Sequence, residues 1–275
     1  MARRIIISIV LTLLLLAGAR RLTSGRPADL VSEEQGLRVY HRTVTEKVGP
    51  GQPALRARID PVQRAALVVR WTSPPSNEIG ARPLVEIEKG IYEGFLPEFA
   101  KGTKLKYWIT ASNVDGTKVR IPMDPGKFGV LKYKGEASKI AIGAHVVFMF
   151  GAFFFMVMSF LAAIEILRGR EDKKNAVRAA RWAIVSSFIG GWPLGFLLNH
   201  QTFGTLWEGF PFGYDVTDNK TQLIFVFWLA SLLLVRGSFI GKGEEKDLLG
   251  RKAFALAIAA CFVVSVALFI IPHSI

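Results

Sequence analysis

The chain holds one cysteine, Cys261, in 275 residues. A lone thiol closes no intrachain disulfide and builds no cysteine zinc or iron–sulfur site. Histidine is also scarce, at four positions: His41, His145, His200 and His273. No phosphate-loop or dinucleotide signature occurs, and neither does Gly-x-Ser-x-Gly or His-Glu-x-x-His. No carboxylate pair stands at a recognisable catalytic spacing. These gaps argue against a nucleotide-driven enzyme and against a familiar hydrolase. Acidic residues are few, 22 against 35 basic ones, which leaves a formal net charge of +13. A surplus of that size suggests nucleic acid until its distribution along the chain is read.

What the chain has in abundance is apolar character. It is 51% hydrophobic, with a mean hydropathy of +0.32. That is high for an ordinary soluble domain and points to a membrane protein. The length allows two modest domains. Arg3 and Arg4 precede an uncharged run from Ile5 to Ala19, and Ala17-Gly18-Ala19 has the small-x-small form of a cleavage site. Residues 1–22 therefore read as a signal peptide or as an N-terminal anchor; Arg20 and Arg21, directly after that site, suit the anchor. Either reading exports the next stretch of chain. Residues 23–53 are polar and read as a linker or an edge segment with little core of its own.

From 54 to 135 the pattern has period two. Leu67, Val69 and Trp71 alternate with Ala66, Val68 and Arg70; Val85 and Ile87 with Glu86 and Glu88; Leu105, Tyr107, Ile109 and Ala111 with Lys104, Lys106, Trp108 and Thr110. Such alternation marks strands with one buried face. Turn-forming stretches separate them, such as Ser73-Pro74-Pro75-Ser76-Asn77 and Asn113-Val114-Asp115-Gly116. The fold expected here is an antiparallel β-sandwich. The series Leu67-Val68-Val69-Arg70-Trp71, Tyr92-Glu93-Gly94-Phe95-Leu96-Pro97, Gly102 to Ala111 and Asp115-Gly116 resembles bacterial immunoglobulin/fibronectin-III-like domains. The resemblance implies a fold over about 80 residues and carries no activity with it.

In residues 136–275, four apolar segments stand at about 140–167, 182–198, 222–240 and 253–272. They read as a four-helix transmembrane bundle, so the whole chain is α+β and multi-domain. Gly190, Gly191 and Pro193 predict a bend in the second segment. Residues 168–181 carry six basic and two acidic residues, 236–252 five and three, and 199–222 one and three. The positive-inside rule puts the first two connections in the cytoplasm and the third outside. That orientation leaves the sandwich and the C-terminus on the extracytoplasmic side of a bacterial-type inner membrane.

The charge is thus distributed rather than gathered. Residues 1–26 hold five of the thirteen charges, 27–138 add four, and 168–252 add four more. No nucleic-acid patch results. Much of the surplus marks helix ends.

Three histidines fall near the same outer level: His145 inside the first span, His200 and His273 at the ends of the second and fourth. Imidazole ligates haem iron and copper, and helical bundles build such sites. These three are the candidate ligands for haem b or a metal, with His145 first because it lies within the apolar zone. The same residues serve equally as interfacial hydrogen-bonding groups. His41 reads as exposed. His145, Ala152 and Ser159 recur every seven residues, a small-residue face suited to helix contact.

The connection 199–222 is rich in aromatics. Trp207, Phe210, Phe212 and Tyr214 suit an interfacial belt, packing beneath the sandwich, or a pocket for a quinone or lipid tail. Asp215 and Asp218 offer oxygen ligands for a metal; alternatively, Thr217 or Asp218 caps the third span. Glu165 reads as a partner of Arg168. The leading expectation is a non-enzymatic membrane protein. Its sandwich docks a membrane or periplasmic protein, as a subunit or accessory of a complex in the lipid bilayer. The alternative is a b-type haem or metal electron-transfer subunit.

Overall fold

The computed structural model describes residues 2–23 and 27–271, which fall into two compact units. One comprises residues 25–136 with 201–204 and is a β unit; the other holds the remaining segments and is helical.

The β unit contains β1 (Asp29–Glu34), β2 (Leu37–Arg42), β3 (Glu46–Val48), β4 (Ala54–Asp60), β5 (Ala65–Ser73), β6 (Ser76–Glu88), β7 (Ile91–Phe95), β8 (Lys104–Asn113), β9 (Lys118–Ile121) and β10 (Gly129–Lys134). They form one hydrogen-bonded sheet in the order β1-β2-β4-β7-β6-β5-β8-β10-β3, with β9 on β8. The sheet is mixed, not wholly antiparallel as expected, because β3 and β10 run parallel. It is also one curled sheet rather than two separate layers. The 13-residue β6 causes this: Ser76–Leu84 lie along β5, and Val85–Glu88 lie along β7.

The alternation expected of the strands produces the core. Leu55, Ala57 and Ile59 of β4, and Leu105, Tyr107, Ile109 and Ala111 of β8, are buried. Their exposed neighbours carry charge, so each strand shows a polar face to water. Val85 and Ile87 break the expectation and are exposed. Leu84, paired with Leu67, points inward, so alternation turns Val85 and Ile87 outward; a register shift between Glu86 and Glu88 follows on β7. Residues 23–53 contribute three strands. β1 and β3 end the strand path, but β2 lies one strand inside it and buries Leu37 and Val39.

His41, expected at the surface, is buried. Its Nδ1 lies 2.8 Å from the Arg56 carbonyl and its Nε2 lies 3.0 Å from the Tyr107 hydroxyl. That hydroxyl also accepts from the Val44 N–H at 2.9 Å. The partners fix the proton positions: Nδ1–H donates to the carbonyl, and the phenol donates to Nε2. The curl makes this possible by bringing β2 across the core from β8. Burial lowers the His41 imidazole below its ordinary range, partly opposed by the bond to Arg56. Burial likewise pushes the Tyr107 phenol up to about 12.

The helical unit contains α1 (Ala2–Thr23), α2 (Lys139–Leu167), α3 (Lys174–Ile189), α4 (Gly195–Phe203), α5 (Val216–Leu233), α6 (Arg236–Ile240) and α7 (Arg251–Ile270). A π-helical turn, Gly190–Leu194, joins α3 to α4. Pro193 has no N–H to offer, so the regular ladder gives way there. Among the described residues four helical runs are long and apolar enough to cross a membrane: Ala2–Ala19, Lys139–Leu167, Lys174–Phe203 and Arg251–Ile270.

The expected third span, 222–240, is not one of them. Its helix begins earlier, with Asp218, Lys220 and Gln222 in its first turns, and stops at Leu233. Val235 leaves helical geometry, and α6 then ends on Gly241 with φ of 75°. The apolar part of α5 is therefore short and followed by a break.

Small residues let these helices approach closely. Ala152, Ser159, Ala162 and Ala163 of α2 are buried, as are Ala176, Ala180 and Ala183 of α3. The Ser159 hydroxyl donates to the Ala176 carbonyl at 3.0 Å. At the centre, fully buried Trp228 donates its indole N–H to Ser265 at 2.9 Å. α1 packs through Ser8, Thr12 and Ala19, with Leu11, Leu15 and Leu16 against the same core.

Candidate functional site

The sequence-derived site residues of the helical unit are not gathered into one site. His145, half-buried on α2, holds the Gly190 carbonyl at 3.0 Å through Nδ1. That carbonyl opens the π-helical turn, so the ring meets the helix at the point where its backbone ladder changes. His200 lies ten residues further along, an axial distance of about 15 Å at 1.5 Å per residue. Two nitrogens on one metal stand about 4 Å apart at ordinary bond lengths. His145 and His200 therefore do not share a metal or a porphyrin iron in this arrangement. His273 lies outside the described residues. The cavity beside His145, lined also by Met149, Lys220 and Thr221, measures about 90 Å³.

Asp215 and Asp218 are engaged by protein donors. Asp215, rather than Thr217 or Asp218, is the N-cap of α5, and accepts from the Thr217 and Asp218 N–H groups at 2.8 and 3.1 Å. The reason is that the helix starts at Val216, well before the apolar run. Asp218 accepts from the Glu208 N–H at 2.7 Å and from the Asn199 amide at 3.2 Å. It ties the aromatic connection to α4 and α5. Among the described residues no group of three His, Cys, Asp or Glu side chains stands together as a metal site.

The four aromatics of that connection separate in two ways. Trp207 stacks on Trp192 at 6.0 Å and meets Phe196 edge-on at 5.8 Å. Phe210, Phe212 and Tyr214 project instead, and Phe212 and Tyr214 are 84% and 90% exposed. Aromatic side chains presented this way suit the interfacial zone of a bilayer.

A site that the sequence pattern did not reveal lies on the outer face of β5, β8, β9 and β10. Trp108 of β8 meets Phe128 edge-on at 5.6 Å. The Arg120 guanidinium lies over both rings, 5.4 and 5.2 Å from their centroids, and Lys106 lies 5.7 Å from that of Phe128. Arg120 also donates to the carbonyls of Pro122, Asp124 and Lys127 at 2.7, 2.5 and 3.1 Å. It thereby holds the loop before β10 so that Phe128 stays against Trp108. Burial lowers its guanidinium somewhat, opposed by the charge of Asp124.

Cations surround this pair. Arg70 is directly across from Trp108, and Lys104 is across from Lys132. On its other side Lys132 is across from Glu46 of β3, which also pairs with Lys134 at 2.6 Å. The opposite half of the sheet carries paired charges as well. There Arg38 pairs with Glu33 and Arg56 with Glu93, each at 2.7 Å, and Arg58 covers Tyr40. The signal available in the sequence was Trp108 at an outward position after Lys104 and Lys106. Arg120 and Phe128, outside the alternating series, needed the fold.

No family model and no curated protein matches the sequence. Among solved structures, the chain is similar to a brominated derivative of BhCBM56, a carbohydrate-binding module, at 13% identity over 37% of this chain and 98% of that one, with a TM-score of 0.25. It is similar to murine CRIg at 10% identity over 41% and 99%, with a TM-score of 0.23. The likeness is weak and involves a β segment.

Proposed function

We propose that the chain is a membrane-anchored recognition protein, a subunit or accessory of a membrane complex. The helices hold it in the bilayer, and the β unit docks an acidic protein partner through the face around Trp108. The observation that carries this reading is the Trp108–Phe128 pair held in place by Arg120 and ringed by lysines. Aromatic anchors with a charged rim are the usual energetic pattern of a binding surface. The cations steer an acidic partner toward it.

The same reading puts the β unit outside a bacterial-type inner membrane. Two ion pairs support that orientation. Arg4 pairs with Glu171 at 2.5 Å, and Lys173 pairs with Asp247 at 2.5 Å. They collect the basic N-terminus, the basic stretch 168–181 and the basic stretch 236–252 at one end of the helices. One basic end is what the positive-inside rule associates with the cytoplasm.

A photoreactive phenylalanine analogue at position 128, in native membranes, tests the docking surface. A discrete protein adduct is expected from position 128 and not from position 58 on the opposite half of the sheet, and high salt should weaken it. Trp108→Ala is expected to lower affinity for that partner about thirtyfold, the scale of a hot-spot loss of about 2 kcal/mol. Adducts equal from both positions would sink the idea. An optical spectrum separates the redox alternative. The purified protein is expected to show no Soret band; a reduced-minus-oxidised Soret shift lost in His145→Ala would restore it.

A further inference from the structure

A groove of about 1090 Å³ opens between α1, α2 and α3, and its lining divides into two zones. At one end are Arg3, Arg4, Arg168, Arg170 and Arg178, with Glu165 and Glu171. Five cations against two anions leave a net charge of +3 there. Away from that end the walls are apolar, built mainly by Phe154, Phe155, Met158 and Leu161 of α2 and Trp182 of α3. Phe155 and Trp182 stack at 6.2 Å.

The ion pairs do not consume the charge. Arg4 takes Glu171 through two bonds, at 3.1 and 2.5 Å. Glu165 takes Arg168 at 2.8 Å and Arg170 at 3.6 Å. Arg178 donates to the neutral Asn175 amide at 3.3 Å. Among the described residues no carboxylate lies within ion-pair distance of Arg3 or Arg178. Two guanidinium groups thus remain at the mouth of a groove with an apolar interior. Arg side chains match phosphate geometry well, with paired N–H donors.

The dimensions also fit one occupant. The two guanidinium groups stand just beyond the wall: Arg178 is four residues, about 6 Å, before Trp182 on α3, and Arg3 is four residues before Ile7 on α1. Trp182 stacks on Phe155, so a phosphate held by these arginines sets its acyl chain along the aromatic wall. We propose that this groove is a binding site for an anionic phospholipid, its phosphate at Arg3 and Arg178 and a chain along Phe154, Phe155 and Trp182. A soluble phosphate would use the arginines but not the wall, and a zwitterionic lipid the wall but fewer of the arginines. The inference rests on the helices spanning a membrane, and it is independent of any partner of the β unit. It also requires α1 to remain attached, because Arg3, Ile5 and Ile7 form one side of the groove.

Native mass spectrometry of the full chain, delipidated in detergent, tests this. Phosphatidylglycerol is expected to be retained at least tenfold more tightly than phosphatidylcholine of the same chains. Arg3→Gln with Arg178→Gln should remove most of that preference, about thirtyfold for two interfacial cations. Arg3→Lys with Arg178→Lys should keep the larger part of it. Unchanged thermal unfolding of both variants shows that the fold is intact, and these exposed positions leave the Arg4–Glu171 pair alone. Glycerol phosphate, lacking chains, should not displace the lipid. Equal retention of the two lipids, a preference untouched in the Gln variant, or displacement by glycerol phosphate would each overturn the site. So would a mature chain lacking residues 1–19 that retains phosphatidylglycerol equally well.

Discussion

Lys173→Met is expected to destabilise the helical unit by about 3–5 kcal/mol, the range for removing one partner of a buried ion pair. Lys173 and Asp247 are almost fully buried, at 3% and 1% side-chain exposure, and their charged atoms lie 2.5 Å apart. Asp247 further accepts from the Ser238 N–H at 2.8 Å and from the Ser238 hydroxyl. Lys173 also reaches the Leu249 carbonyl at 3.4 Å. The pair fastens the connection between α2 and α3 to the connection between α6 and α7. Methionine would fill the volume of the lysine but leave a buried carboxylate without its cation. Asp247→Asn in the same chain should recover part of the loss, since a neutral amide can still serve Ser238. Chemical unfolding in detergent reads all three proteins; a loss below about 1 kcal/mol in Lys173→Met would show that the pair is not a fastening.

Asp247 adds a pH dependence. Burial alone pushes its carboxyl up, but the bonds from Lys173 and Ser238, with the charge of Lys173, bring it below the ordinary value. A lowered carboxylate contributes stability that is complete above its unfolded value, about 3.9. The contribution is lost as pH falls through the lower folded value. Stability is therefore expected to hold from neutral pH to about pH 4 at this site and to fall below it. In Lys173→Met this acid loss should shrink, because without the cation the folded value of Asp247 moves back up toward its unfolded one.

Tyr107→Phe is the second large effect, expected to cost the β unit about 2–3 kcal/mol. The substitution removes only a hydroxyl. It strands the Val44 N–H, which donates at 2.9 Å, and His41 Nε2, which accepts at 3.0 Å. A buried group left without its partner costs about 1–3 kcal/mol. Tryptophan fluorescence during chemical unfolding of the full chain measures it. His41 supplies a signature that simple loss of packing would not give. Its folded value is lowered by burial. Its contribution is thus whole above about pH 6.5, the unfolded value, and declines as pH falls through the lower folded value. His41→Gln should flatten that decline; a decline just as steep would place its origin elsewhere.

Both expectations involve contacts far apart in sequence, and that separates what the sequence shows from what it hides. Period-two alternation marked Leu67, Val69, Leu105, Tyr107 and Ile109 as one buried face, because a strand sends successive side chains to opposite sides. The long apolar runs marked α2 and α7, because a helix in hydrocarbon needs about twenty apolar residues. Val85 and Ile87 misled, because alternation separates two faces without showing which of them is buried. The third apolar segment misled because hydropathy does not register a backbone break at Val235. β3 gave no signal at all: it has three residues, and pairing with β10 is what makes it a strand.

The candidate site divides in the same way. Residue type alone singled out the histidines and the aromatic connection, since those side chains carry recognisable chemistry. Whether they meet is a matter of distance, and His145 turns to Gly190 rather than to another histidine. Trp207 packs inward while Phe212 faces out, though both were read together. By itself, then, the sequence determined that an alternating β region adjoins apolar helices and that basic charge collects at particular helix ends, because these properties arise from local period and composition. The tertiary structure alone decided that β2 crosses the core to meet Tyr107, that Arg120 joins Trp108 to Phe128, and that α1 completes an arginine-mouthed groove. Each depends on chain curvature and helix packing, which bring together residues that no local pattern relates.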